Sequence, residues 1–182
     1  MRAFIGIPIP EEIRKPYYKV CKPLKDTADI SFVKPEKMHI TLAFFSDLNK
    51  NKLPLIENIF NDISLEAFEI NCESIGQFRR RGIPSTIFIQ IYSDMLLEYA
   101  KILHTKLDEA GIHFDKKPIV PHITLGRIKE MQNEIGYFKL YKDISKNFMK
   151  TSFFIEEVSL FSSNMTVYKK EISKYFQKES DV

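Results

Sequence analysis

The sequence predicts an α+β fold of two similar lobes, related by a pseudo-twofold, with antiparallel sheets, helices on the outer faces and a cleft between the lobes. Two observations predict it. The tetrapeptide His-Ile-Thr-Leu occurs twice, at 39–42 and 122–125, 83 residues apart. Each copy sits in the same order of elements: strand, helix, motif strand, helix, strand. The strands that follow the motifs open at Phe68 and Phe153, a nearly equal offset. Repetition of whole supersecondary units implies similar lobes. No Gly-, Ser- or Pro-rich linker separates the halves. They are therefore expected to intertwine in one two-lobed domain over 1–182, with motif strands at about 38–45 and 121–128.

Taken in order, residues 2–9 form an apolar run closed by Pro10 and read as a buried strand. Residues 11–24 place Ile13, Tyr17, Val20 and Cys21 at helical spacing. A short apolar run at 30–33 precedes Pro35. Residues 39–44 alternate at period two, as a strand does. Residues 52–63 read as a second helix (Leu55, Ile56, Ile59, Phe60, Ile63), and 68–78 as a strand. Arg79, Arg80, Arg81 and Gly82 read as a loop and 86–92 as a strand. Asp94 is expected to cap a helix that runs to about 110 and stops at Gly111. After the second motif come a weak helix at 133–141, one strand at 153–161 and a last strand at 166–172.

Composition narrows the class. The chain has 182 residues, 44% of them hydrophobic and 28% charged, as in an ordinary globular protein. A net charge of +3 permits a phosphate-bearing partner without demanding one. Two distant cysteines, Cys21 and Cys72, do not make a disulfide scaffold. The apolar residues 1–10 are followed by Glu11 and Glu12, with no small-residue cleavage site, so they read as a strand and not a signal peptide. No apolar run approaches the roughly 20 residues of a membrane span. The expectation is a cytoplasmic protein, with nothing that requires more than a monomer.

The chemistry lies in the repeated motif. Residues i and i+2 of a strand share a face. His39 therefore lies beside Thr41, and His122 beside Thr124, while Ile40, Leu42, Ile123 and Leu125 face a core. If the two polar faces meet across a cleft, one imidazole can take a proton from water and the other can give one to a leaving oxygen. Threonine hydroxyls can hold non-bridging phosphate oxygens. Arg127 could neutralise charge that develops on them. Its offset of five from His122 would aim it at the core in a regular strand, unless Gly126 marks a bulge or the strand's end. A cyclic phosphate suits the set, because its leaving oxygen stays tethered to the ribose. One acid and one base then suffice, and neither a metal nor a cofactor is expected. No His-x-x-x-His helix pair is present.

The two His-x-Thr-Leu motifs and their flanks resemble the two-histidine phosphoesterase superfamily. The nearer likeness is to its LigT-like branch of RNA 2′,3′-cyclic phosphodiesterases, also described as 2′-5′ RNA ligases. The residues that carry it are Met1 to Ile7, Lys34 to His39, Gly76-Gln77-Phe78, Pro121 to Arg127, and Leu160 to Ser163 with Tyr168. The sequence departs from the family pattern at Ser46, where Gly is usual, and in a shorter turn at 164–167. The resemblance implies hydrolysis of an RNA 2′,3′-cyclic phosphate to a 2′-phosphate end. His39 would be the acid for O3′, His122 the base for water, and Thr41, Thr124 and Arg127 the phosphate's holders. Which histidine is acid and which is base stays open.

Three rivals remain: a 2′-5′ RNA ligase, a phosphodiesterase for a small nucleotide such as ADP-ribose cyclic phosphate, and a non-catalytic RNA-binding module. His104 and His113 are expected to be structural or solvated. Arg79 to Arg81 divide evenly between steering RNA and simple solvation. The phenylalanines are assigned to the core, and base stacking is assigned to neither Phe4 nor Phe44, the two candidates for it.

Overall fold

A computed structural model describes residues 1–64, 66–164 and 167–176. The elements are β1 (Ala3–Pro8), α1 (Glu11–Cys21), β2 (Ala28–Phe32), β3 (His39–Phe45), α2 (Leu53–Asp62), β4 (Phe68–Arg80) and β5 (Ile83–Tyr92). They continue with α3 (Asp94–Glu109), β6 (His122–Met131), α4 (Glu134–Lys146), β7 (Thr151–Ile155), β8 (Glu157–Ser163) and β9 (Tyr168–Tyr175). The class is α+β, as the sequence predicts. No described helix is long and apolar enough to cross a membrane.

All strand pairs are antiparallel, in the order β7-β4-β5-β6-β3-β1-β8-β9, with β2 on β6. The sheet curls, and its two halves meet where β3 touches β6 through one residue pair, Ile40 with Ile123. Each half borrows a strand from the other half of the chain. β4 comes from the first repeat but lies in the β5–β6 lobe. β8 comes from the second repeat but pairs with β1. Neither lobe can complete its sheet without the other repeat.

The core follows from alternation. Ala3, Ile5 and Ile7 of β1, Ile40 and Leu42 of β3, Ile87, Ile89 and Ile91 of β5, and Ile123 and Leu125 of β6 are buried on the helix-covered face. Against them lie Ile13, Tyr17 and Cys21 of α1, Ile56, Ile59 and Phe60 of α2, and the Leu96–Leu107 stripe of α3. Each such aliphatic side chain contributes about 1.5–3 kcal/mol when removed from water. The helices take one face of the sheet, and the other faces the cleft.

Several elements depart from expectation. The single strand expected at 153–161 is two, β7 and β8, divided at exposed Glu156. β7 zips to β4 at one end of the sheet, whereas β8 crosses to β1. The burial pattern shows why: alternation through Phe153 and Ile155 gives way to three consecutive buried residues, Val158 to Leu160. Ser93, not Asp94, caps α3, its hydroxyl accepting from the Leu96 N–H at 3.3 Å, and Asp94 begins the first turn. α4 runs past Tyr141 to Lys146, started by the Asn133 side chain accepting from Gly136 N–H. The expected 79–82 loop shrinks to Arg81 and Gly82, both at positive φ, because Arg79 and Arg80 stay in β4. The last strand opens at Tyr168, and Thr166, its expected start, lies outside the described residues, as does part of the 164–167 turn.

Candidate active site

The Ile40–Ile123 pair organises the site. Both side chains are buried, which sends His39, Thr41, His122 and Thr124 to the opposite face. An antiparallel register through that pair runs His39 toward Thr124 and Thr41 toward His122. All four residues line one cavity of about 170 Å³, together with Arg127. The structure thus brings together every site residue singled out in the sequence.

Arg127 reaches the cavity because β6 bulges. Against β5, Thr124 pairs with Phe88 and Gly126 with Ile87, leaving Leu125 without an opposite residue. The extra residue reverses the alternation, so Leu125 and Gly126 are both buried and Arg127 returns to the histidine's face. β3 carries the same bulge at the equivalent place. Thr41 pairs with Gly6 and Ala43 with Ile5, skipping Leu42, and Phe44 turns to the cavity. Gly126 is also required by packing: a Cβ there would lie 2.8 Å from Ile30 Cγ2 and 3.2 Å from Phe32 Cδ1 of the adjacent strand β2.

The bulged carbonyls are satisfied differently. In one lobe, Val33 N–H donates to Leu125 O at 2.8 Å. In the other, His104 of α3 does so with a side chain, its Nε2 lying 2.8 Å from Leu42 O. A carbonyl only accepts, so Nε2 carries the proton. Asp115 N–H then donates to Phe44 O. His104 is therefore structural, as expected, but it supports a motif strand. His113 is exposed and lines no part of the cavity.

Both motif histidines are held alike. Nδ1 of His39 lies 2.7 Å from Lys37 O, and Nδ1 of His122 lies 2.6 Å from Val120 O. The carbonyls demand an Nδ1–H donor, so in each neutral ring Nε2 bears the lone pair toward the cavity. Phe4 stacks on His39 with centroids 4.3 Å apart, and Tyr168 meets its edge. Phe78 and Phe88 pack edge-on against His122. Burial pushes the His39 imidazole down to about 4, opposed by the Lys37 carbonyl and reinforced by the charges of His122 and Arg127. His122 is also held below its ordinary value, mainly by burial and further by Arg127. Both rings are neutral near pH 7 in the free protein.

Sequence reading missed several cavity residues. Arg2, Lys37, Ser163 and Tyr168 line it, and Phe4 serves as a stacking partner for His39. Arg2 had a legible signal, since it lies two residues before Phe4 on the same strand face. Ser163 and Tyr168 stood out only as part of the family resemblance, with nothing local to place them in the cavity, because only the β8–β1 and β8–β9 pairings bring them there. Among the described residues no carboxylate lines the cavity. Arg79 to Arg81 sit at the exposed β4–β5 hairpin, with Arg79 over Phe138, and do not line it.

The chain matches the sequence model of the LigT like phosphoesterase family over residues 7–88 and 91–168. It is 28% identical over 168 residues to an Archaeoglobus fulgidus protein named RNA 2′,3′-cyclic phosphodiesterase, covering 92% of each chain. It is 30% identical over 169 residues to a Methanocaldococcus jannaschii protein of the same name, covering 91% of this chain and 93% of that one. Its fold matches a crystal structure of a Thermus thermophilus protein with a TM-score of 0.79 at 21% identity, over 99% of this chain and 100% of the other. Escherichia coli LigT complexed with NADP+ matches with a TM-score of 0.72 at 19% identity, over 96% and 97% of the two chains. With the family's sequence pattern running through both halves, the chain belongs to the LigT-like phosphoesterase family.

Proposed function

We propose that this protein opens 2′,3′-cyclic phosphates at RNA ends to 2′-phosphomonoesters, without a metal ion, using His39 and His122 as acid and base. One observation carries the reading: two imidazoles, each with Nδ1 tied to a carbonyl and Nε2 turned inward, share a carboxylate-free cavity with Arg127 and two threonines. The names of the archaeal relatives support the substrate class.

In this reaction His122 Nε2 takes a proton from water as the water oxygen bonds to phosphorus. The P–O3′ bond breaks on the opposite side, and His39 Nε2–H gives its proton to O3′. The 2′-phosphate remains. In-line displacement needs the two imidazoles on opposite sides of phosphorus, as one from each lobe supplies. Thr41 and Thr124 donate to non-bridging oxygens, and Arg127 neutralises the charge that grows on them. His39 must be charged to act as acid, although it is neutral in the free protein. A phosphate anion against Nε2 favours the imidazolium and raises its pKa, so the substrate arms its own acid.

The test uses a short RNA with a 2′,3′-cyclic end, in EDTA, with wild type, His39→Ala and His122→Ala. A 2′-phosphate product is expected from wild type, with each variant slower by at least about 10²-fold. A 3′-phosphate product, dependence on added metal, or a variant at wild-type rate would refute the reading.

A further inference from the structure

The pseudo-symmetry of the site breaks at one pair of positions. The residue two beyond the bulge is Arg127 in β6 and Phe44 in β3. The Phe44 lobe still carries a guanidinium, because Arg2, just before the neighbouring strand β1, places its guanidinium carbon 4.9 Å above the Phe44 ring centroid. Arg2 and Arg127 both line the cavity, and neither guanidinium forms an ion pair or hydrogen bond among the described residues. Four exposed lysines, Lys15, Lys116, Lys150 and Lys170, each sit on a carboxylate. Two guanidinium groups without a carboxylate between them suit an anion whose charge has two centres.

The two guanidinium groups do not serve the same point. Arg127 acts on both imidazoles, depressing each, whereas Arg2 figures in neither. Arg2 lies at the mouth of β1, two residues before Phe4 and about 7 Å from it along an extended chain, and Phe4 is the ring stacked on His39. Ser163 holds this end of the strand, its N–H donating to Arg2 O at 3.0 Å. The Phe44 ring covers one face of the Arg2 guanidinium, which leaves its N–H edges to bind an oxyanion sideways.

We propose that Arg2, seated on Phe44, binds the phosphate on the 5′ side of the terminal nucleotide, so that the cavity is a two-phosphate site for oligonucleotide ends. This rests on the hydrolytic reading above, in which Arg127 and the threonines take the cyclic phosphate itself. Adenosine 2′,3′-cyclic phosphate then fills half the site, and a 5′-phosphorylated version fills both. Arginine suits the second position better than lysine, because its fork matches two phosphate oxygens at once.

The experiment compares kcat/KM for adenosine 2′,3′-cyclic phosphate with and without a 5′-phosphate, in wild type, Arg2→Ala and Arg2→Lys. Binding of adenosine 2′-monophosphate and 2′,5′-bisphosphate to the same proteins is measured by calorimetry. The 5′-phosphate should raise kcat/KM about ten- to hundredfold in wild type. The gain should shrink to within about threefold in Arg2→Ala and be partly kept in Arg2→Lys. The bisphosphate should show the same preference in binding. An equal kcat/KM with and without the 5′-phosphate, or a gain that survives Arg2→Ala, would overturn the proposal and leave the hydrolytic reading standing. No turnover of any nucleotide, with bisphosphate binding still dependent on Arg2, would overturn the hydrolytic reading and keep the two-phosphate site.

Discussion

Replacing His39 by asparagine is expected to remove much of the protein's loss of stability in mild acid. In the folded protein this imidazole stays neutral down to about pH 4, against an ordinary value of 6.5. Between those values the unfolded chain binds a proton that the folded chain refuses, so falling pH favours unfolding. Above pH 6.5 neither state is charged, and the effect vanishes. For a site titrating at about 4 folded and 6.5 unfolded, stability falls by about 2–2.5 kcal/mol between pH 7.5 and 4.5, the lower figure allowing for cavity water at the ring's edge. Asparagine can place an amide N–H where Nδ1–H stands, keeping a donor for the Lys37 carbonyl, and it has no proton to gain. His122 acts with the same sign but is present in both proteins, so subtraction isolates His39. The assay is urea unfolding of wild type and His39→Asn at the two pH values. Wild type should lose about 2 kcal/mol more than the variant over that range. Equal losses would refute a neutral, half-buried His39, and with it the claim that substrate must raise its pKa before it can act as acid.

Two further outcomes follow from the bulged strands. Arg127→Ala should lower kcat by about 10²–10³-fold while leaving the melting temperature nearly unchanged, since the side chain is exposed and forms no ion pair among the described residues. Gly126→Ala, read in the same melts, should instead cost about 1–3 kcal/mol, because its Cβ meets β2; a kcat untouched by either change would place Arg127 outside the chemistry. His104→Leu leaves the Leu42 carbonyl without its donor and should destabilise by about 1–3 kcal/mol in urea unfolding, with partial rescue by His104→Gln. An unchanged midpoint would mean that the α3 contact does not support β3.

Much of the fold and half of the site's logic were legible in the chain. Period-two alternation is a local property, so His39 with Thr41 and His122 with Thr124 could be placed on polar faces before any tertiary contact was known. The duplication of that pattern implied two lobes, and the apolar spacing of α1 and α2 marked most of the residues that cover the sheet, although Val20 and Leu55 of those runs are exposed. The errors fell where pairing overrides the local signal. The 153–161 run is interrupted only by Glu156, Glu157 and Ser159, and nothing local to it says that Phe153 and Ile155 belong beside β4 while Val158 to Leu160 belong beside β1.

By itself, then, the sequence determined the α+β class, the repeat, and which side of each motif strand would carry imidazole and hydroxyl. Those properties are written in local spacing of two to four residues, and the repeat in that local pattern's recurrence. The tertiary structure alone decided how the repeats exchange β4 and β8, because strand pairing depends on partners far along the chain. It also decided that a skipped residue at Leu125 turns Arg127 to the histidine's face, since a bulge exists only relative to an opposite strand. The same holds for the Nε2 direction of both imidazoles and for Arg2 on Phe44. A carbonyl two residues away and a ring on the adjacent strand set these, and only the folded backbone brings them within reach.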